Sequence, residues 1–190
     1  LAGMNLCFYL AIDQLYLGTA VAIEFIGPIA VAATGARTPR NATALGLATM
    51  GVVLLAEVRT EGDALGLVYI LLAAALWAGY IILGSRVARS ESSLDGLGVG
   101  MAIGAVAIAP FGLSQAIPAL DRPGLLLLAA ATGGLSSAIP YALDQITMRR
   151  LAPAHYALLL ALLPVTATIV GMVSLDQTPS ILELAGIAIV

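Results

Sequence analysis

Glu24 lies within an unbroken run of apolar and small residues that begins at Leu17. Counted along a helix from Leu17, its carboxyl sits about 10 Å into the run at about 1.5 Å per residue, too deep for its short side chain to reach water easily. An acid at that depth of a membrane costs on the order of 3 kcal/mol on insertion scales, so it is expected to face a cavity or a partner. A carboxyl there can exchange a proton with each side in turn, or hold a cationic ligand. The structural alternative is a protonated glutamate that bonds a neighbouring helix and only fixes packing.

Gly27-Pro28 follows one turn later. Proline lacks the backbone N–H, so it frees a carbonyl in the preceding turn and bends the helix, and bent helices with freed carbonyls are used for polar sites at mid-membrane. A simple packing kink is the plainer reading. Pro140 and Pro164 are placed to do the same in later segments.

Ser137, Tyr141 and Asp144 fall at i, i+4 and i+7, on one helical face. A hydroxyl, a phenol and a carboxylate on one stripe suit an ammonium group, although Asp144 is also close enough to Arg149-Arg150 to reach the interface or pair there. Asn5 with Tyr9, and Trp77 with Tyr80, make two further polar and aromatic faces. Anchoring of Trp and Tyr at the membrane surface is their alternative role.

These residues must be positioned by helices in lipid. The chain is 61% apolar and 10% charged, with eight basic residues, all of them arginine, and a mean hydropathy of +1.03. That composition excludes an ordinary soluble domain, and the net charge of -3 gives no basis for nucleic-acid binding. Arg37 with Arg40, Arg86 with Arg89, and Arg149 with Arg150 occupy alternate loops, whereas the loops between them hold only Arg59 and Arg122. Arginine-rich loops stay in the cytoplasm, so the pattern marks the spans and orients them. Glu57, Glu61, Asp63, Asp121 and Asp176 populate the opposite side. The single cysteine, Cys7, is within an apolar segment and says nothing about redox compartment.

Helical segments are expected near 1–13, 16–36, 42–57, 64–87, 94–116, 123–147, 151–173 and 181–190, with the first and last too short to cross. Turn formers such as Arg37-Thr-Pro-Arg40, Glu61-Gly-Asp63 and Asp121-Arg-Pro-Gly124 separate them. The expected fold is all-α, a polytopic membrane helix bundle, since the segments are too long for barrel strands. Leu1 is not a start methionine and Ile189-Val190 stops in mid-pattern, so the chain is expected to be part of a longer transporter, with both ends toward the cytoplasm.

An internal repeat underlies the pattern. Pro28 is followed by Gly35 and a loop with Pro39, and Pro164 by Gly171 and a loop with Pro179; upstream, Tyr9-Leu-Ala-Ile-Asp-Gln14 resembles Tyr141-Ala-Leu-Asp-Gln145. An odd number of helix-to-helix steps separates the two prolines, which inverts one copy relative to the other, as in many secondary transporters.

Two competing classes are weighed against a carrier. Gly134-Leu-Ser136-Ser137 loosely matches the nucleophile segment of intramembrane serine proteases, with His155 on a later helix, but no group that would orient the base is evident. A non-transporting membrane scaffold would have no need of Glu24. Gly96, Gly100 and Gly104 permit close helix approach, within the chain or in a homodimer. No metal-ligand cluster, phosphate loop or nucleotide motif occurs, so no metal or cofactor is expected and energy must come from an ion or substrate gradient.

Gly3-Met-Asn-Leu-Cys-Phe-Tyr-Leu-Ala-Ile12, Leu17-Gly-Thr-Ala-Val-Ala-Ile-Glu-Phe-Ile-Gly-Pro28, Trp77-Ala-Gly-Tyr-Ile81 and Ser137-Ala-Ile-Pro-Tyr-Ala-Leu-Asp144 together resemble the threonine/homoserine exporter branch of the EamA-like drug/metabolite transporters. The resemblance covers essentially the whole chain, and its most specific piece is the acid beside the Gly-Pro pair. It implies a ten-helix fold of two inverted repeats, with residues 1–60 as the C-terminal part of the first and 61–190 as the second, truncated in its last helix. It implies export of small amino acids across a bacterial inner membrane, and it draws Asn5 and Tyr80 toward a cavity. Many relatives carry an acid just before the proline of the ninth helix, where this chain has Leu163. The expected carrier is proton-coupled through Glu24, with substrate held among Asn5, Tyr9, Glu24, Trp77, Tyr80, Ser137, Tyr141 and Asp144.

Overall fold

A computed structural model of the chain describes residues 1–55, 63–90, 93–175 and 180–189. Glu57, Arg59, Glu61 and Asp176, which entered the topology reading, lie outside the described residues. The elements are α1 (Ala2–Ile12), α2 (Leu17–Glu24), α3 (Ile26–Ala33), α4 (Pro39–Leu55), α5 (Ala64–Val87), α6 (Ser93–Leu120), α7 (Pro123–Gly133), α8 (Ile139–Arg150), α9 (Pro153–Leu159), α10 (Leu162–Leu175) and α11 (Ile181–Ile189), with a π-helical turn at Gly134–Ala138 joining α7 to α8. Joined through the breaks within α2–α3, α7–α8 and α9–α10, they are the segments expected from the sequence, and the fold is all-α. Four are long and apolar enough to cross a membrane: Ala64–Val87, Ser93–Gly112, Pro123–Arg150 and Pro153–Val170.

The starts of the helices follow from their first residues. Asp63 caps α5 by accepting from the Leu65 N–H at 3.4 Å. α4 begins earlier than its apolar pattern, at Pro39, because Thr38 Oγ1 accepts from the Asn41 N–H at 3.2 Å and proline suits the first helical position.

Each of the three breaks immediately precedes a proline. α2 gives way to α3 at Phe25, three residues before Pro28; α9 gives way to α10 at Leu160-Ala161, just before Pro164; and the π turn comes just before Pro140. A proline ring crowds the carbonyl four residues earlier and cannot bond it, which deprives the carbonyls of Glu24, Ser136 and Leu160 of their usual α-helical partner; the Leu160 carbonyl instead accepts from the Leu163 N–H at 2.9 Å. In the π turn the ladder adapts by lengthening, so that the Ile139 N–H bonds the Gly134 carbonyl five residues back.

α5 is the central post, packed by α1, α2, α3, α8 and α9. The α3–α5 crossing is so close that a Cβ on Gly27 would overlap the Ala74 carbonyl oxygen. α3 also crosses α9, where Gly35 abuts Ala154, and α4 pairs with α11. One apolar cluster joins Phe25, Val31, Val52, Ile81, Met148, Tyr156 and Leu160, and a second joins Ala11, Leu15, Ala20, Ile70 and Ala73. Val99, Val106, Phe111, Leu127 and Leu128 point outward and are exposed. An outward apolar surface over helices whose backbone ladders close internally, apart from carbonyls freed at the proline breaks, is what a bilayer requires. The chain is a multi-pass membrane protein.

Candidate functional site

Polar side chains from α1, α5 and α8 converge against this apolar background. The Tyr80 hydroxyl donates to Asp144 Oδ2 at 3.3 Å. Tyr80 and Tyr141 meet edge to face, their ring centroids 5.8 Å apart at 74°, a favourable arrangement for two ring quadrupoles. The Asn5 side-chain amide donates to the Tyr141 hydroxyl at 3.5 Å. α5 and α8 therefore meet through one phenol–carboxylate bond and one ring pair, and α1 joins through Asn5. Asp144 turns to Tyr80, while Arg149 and Arg150 are exposed.

The other expected residues take graded positions around this cluster. Glu24 is half-buried at the end of α2, within electrostatic reach of the Tyr141 hydroxyl. Its own carbonyl is the one stranded by Pro28, so side chain and free backbone acceptor belong to the same residue. Tyr9 is also within electrostatic reach of Tyr141, but at 64% exposed it is the outermost member. Trp77 packs edge to face on Phe25 at 5.1 Å and joins the larger apolar cluster as a wall. Ser137 is half-buried in the π turn, one residue beyond the exposed Ser136.

Two residues that the sequence reading passed over complete the cluster. Tyr156, 3% exposed, turns its hydroxyl toward Asp144 from α9 without closing a hydrogen bond. Gln145, 3% exposed, lies beside the Tyr80 hydroxyl. The signal for Gln145 was present, since it stands one turn after Tyr141 on the same face. Tyr156 had no such signal, because its neighbour in sequence, His155, carried the more reactive side chain.

Beside the cluster is a cavity of about 570 Å³, lined by Tyr80 and Gln145 and by Gly79, Gly84, Gly96 and Gly100 among others. That volume suits a small organic ligand. Gly104 packs on Ala2, where an added Cβ would come within 3.2 Å of the Ala2 Cβ. The small residues of α6 thus serve contacts and space within the chain.

Ser136 and His155 are not brought together. Ser136 is in the π turn and His155 is on the first turn of α9, in a small pocket with Gly35, Asn41 and Ala154. The length of α8 separates them by roughly 20 Å along the helix axis, far beyond hydrogen-bond reach. Among the described residues no group of three or more His, Cys, Asp or Glu is placed to hold a metal ion.

The EamA-like transporter family matches residues 64–190. The threonine/homoserine exporter RhtA of Salmonella typhimurium strain LT2 is 38% identical over 181 residues, covering 94% of this chain and 61% of that protein. RhtA of Escherichia coli K12 is 36% identical over 187 residues, covering 97% of this chain and 63% of that protein. The chain thus spans about six-tenths of the length of these curated relatives. No solved structure matches it significantly.

Proposed function

Because the chain belongs to the EamA-like transporter family, we propose that it acts as a bacterial inner-membrane carrier that exports small amino acids of the threonine and homoserine kind, driven by protons, through alternating access. The observation that carries this reading is the convergence of Asn5, Tyr80, Tyr141 and Asp144 from three helices beside a ligand-sized cavity. The names of the RhtA relatives supply the substrate class.

An amino-acid substrate presents an ammonium, a carboxylate and a side chain. Asp144 offers the ammonium a carboxylate, and the faces of Tyr80 and Tyr141 add cation–π attraction. The Asn5 amide, a donor in this cluster, suits the substrate carboxylate. Glu24 exchanges a proton, or takes the substrate ammonium, in one facing state and releases it in the other. Substrate and proton shift the balance of states only by binding one better than the other.

The broken helices supply the moving parts. Pro28 and Pro164 each follow a break, at matching positions in residues 1–60 and 61–190, which supports two inverted repeats rocking about a shared site. The family match over 64–190 supports the same division. Arg37, Arg40, Arg86, Arg89, Arg149 and Arg150 would face the cytoplasm.

The test is labelled threonine and homoserine exchange by the product of the full reading frame, reconstituted in vesicles with and without an inward proton gradient. Gradient-stimulated flux that unlabelled substrate suppresses is expected. No flux of either amino acid from folded, oriented protein would remove the substrate assignment.

A further inference from the structure

Gln145 is 3% exposed, yet its Oε1 has no hydrogen-bond partner. Buried amide oxygens in folded proteins are almost always paired, so this one marks a place where something else belongs. The orientation of the amide follows from its neighbour. Tyr80 gives its proton to Asp144, so toward Gln145 the phenol oxygen can only accept, and it meets the amide N–H side. Oε1 is left as an acceptor, and Gln145 lines the cavity of about 570 Å³ together with Tyr80. Asp144, one residue earlier, is an acceptor as well. Tyr80 thus ties together two acceptors that a ligand with two donor groups would satisfy.

Resting on the amino-acid export reading, we propose that Gln145 Oε1 accepts a hydrogen bond from the side-chain hydroxyl of the substrate while Asp144 takes its ammonium group, so that Gln145 selects hydroxylated small amino acids over their deoxy analogues. Threonine and homoserine carry the hydroxyl on different carbons, and both become 2-aminobutyrate when it is removed. A pocket built to bond a hydroxyl rejects a ligand without one, because its own polar group is then left unpaired. Gln14, the repeat counterpart, also leaves Oε1 buried and unpaired, but it packs beside Gly66 at the end of α1, away from the cavity.

The experiment is competition against labelled homoserine exchange in vesicles carrying the product of the full reading frame. 2-Aminobutyrate, which lacks the hydroxyl, and O-methylhomoserine, which keeps the oxygen without its proton, are each expected to compete at least about tenfold less well than homoserine. Gln145→Met should narrow the preference for homoserine over 2-aminobutyrate to within about threefold while exchange of 2-aminobutyrate continues. Equal competition by all three compounds in the unaltered protein overturns the proposal, as does a Gln145→Met protein that keeps the full preference. If that variant does not fold, the analogue series on the unaltered protein decides. Absence of all exchange by folded protein overturns the export reading and this proposal with it, an outcome distinct from exchange that ignores the hydroxyl.

Discussion

The Tyr80 hydroxyl and the Asp144 carboxylate meet at 3.3 Å across helices that are 64 residues apart in sequence. This contact turns the Asp144 side chain toward Tyr80, which lines the cavity. It also holds α5, the post on which most of the bundle packs, to α8, the helix that carries Tyr141 and Gln145. A substrate ammonium arriving at Asp144 would find a carboxylate already oriented by a donor, which lowers the cost of ordering it on binding.

Tyr80→Phe removes that donor and keeps the ring that packs on Tyr141. A hydrogen bond to a charged group contributes about 1.5–3 kcal/mol, so KM for the amino acid should rise by roughly ten- to hundredfold with little loss of folded protein. Asp144→Asn should cost at least as much. The double variant should cost less than the sum of the two, since both remove one contact. Exchange kinetics on the three variants check this, and strict additivity would show that the two residues act separately.

Glu24→Gln keeps the shape and depth of the side chain and removes its ability to exchange a proton. The expected result is loss of stimulation by the inward proton gradient, with substrate-for-substrate exchange retained at equal concentrations on both sides. Stimulation that persists in a folded Glu24→Gln protein would place coupling elsewhere.

Gly27→Ala tests the α3–α5 crossing. A methyl group there would overlap the Ala74 carbonyl oxygen, and a backbone atom on a packed helix cannot swing away as a flexible side chain would. Overpacking of this kind typically costs about 1–3 kcal/mol. Gly79→Ala, where an added Cβ meets nothing within 4 Å, serves as the control. Thermal unfolding in detergent should show a lower midpoint for the first variant and an unchanged one for the second.

The fold was legible in the sequence because lipid leaves few options. Long apolar runs separated by Arg37-Thr-Pro-Arg40 or Asp121-Arg-Pro-Gly124 can be little but spans, and the segments matched the helices to within a few residues. The candidate cluster was legible in part. Asn5, Tyr80, Tyr141 and Asp144 stood out as polar groups on apolar helices, and the structure brings them together. Gln145 shares the face of Tyr141 one turn on and could have been read with it, whereas Tyr156 is placed only by the packing of α9 against the cluster. The form of each proline's effect was also hidden, since Pro28, Pro140 and Pro164 are one residue type in similar surroundings. Two of them open a break and the third lengthens the ladder into a π turn, a choice made by packing across helices.

That π turn carries the last prediction. The Ile139 N–H reaches five residues back to Gly134 because Pro140 cannot bond the Ser136 carbonyl and its ring crowds it. A π turn holds one more residue than the α-helical turn it replaces, so it sets the rotation of α8 relative to α7. Pro140→Ala restores the missing N–H and allows the α-helical ladder to close through this segment. One residue of register corresponds to about 100° of rotation, enough to carry Tyr141, Asp144 and Gln145 off the face that meets Asn5 and Tyr80. The Pro140→Ala protein should therefore be at least as thermally stable as the unaltered one and yet exchange homoserine poorly. Amide hydrogen exchange over 134–140 should slow at the same time, as the lengthened bonds of the turn give way to α-helical ones. A variant that keeps full exchange activity while its amides become protected would show that α8 holds its rotation without the π turn, through the Tyr80 and Tyr141 contacts alone.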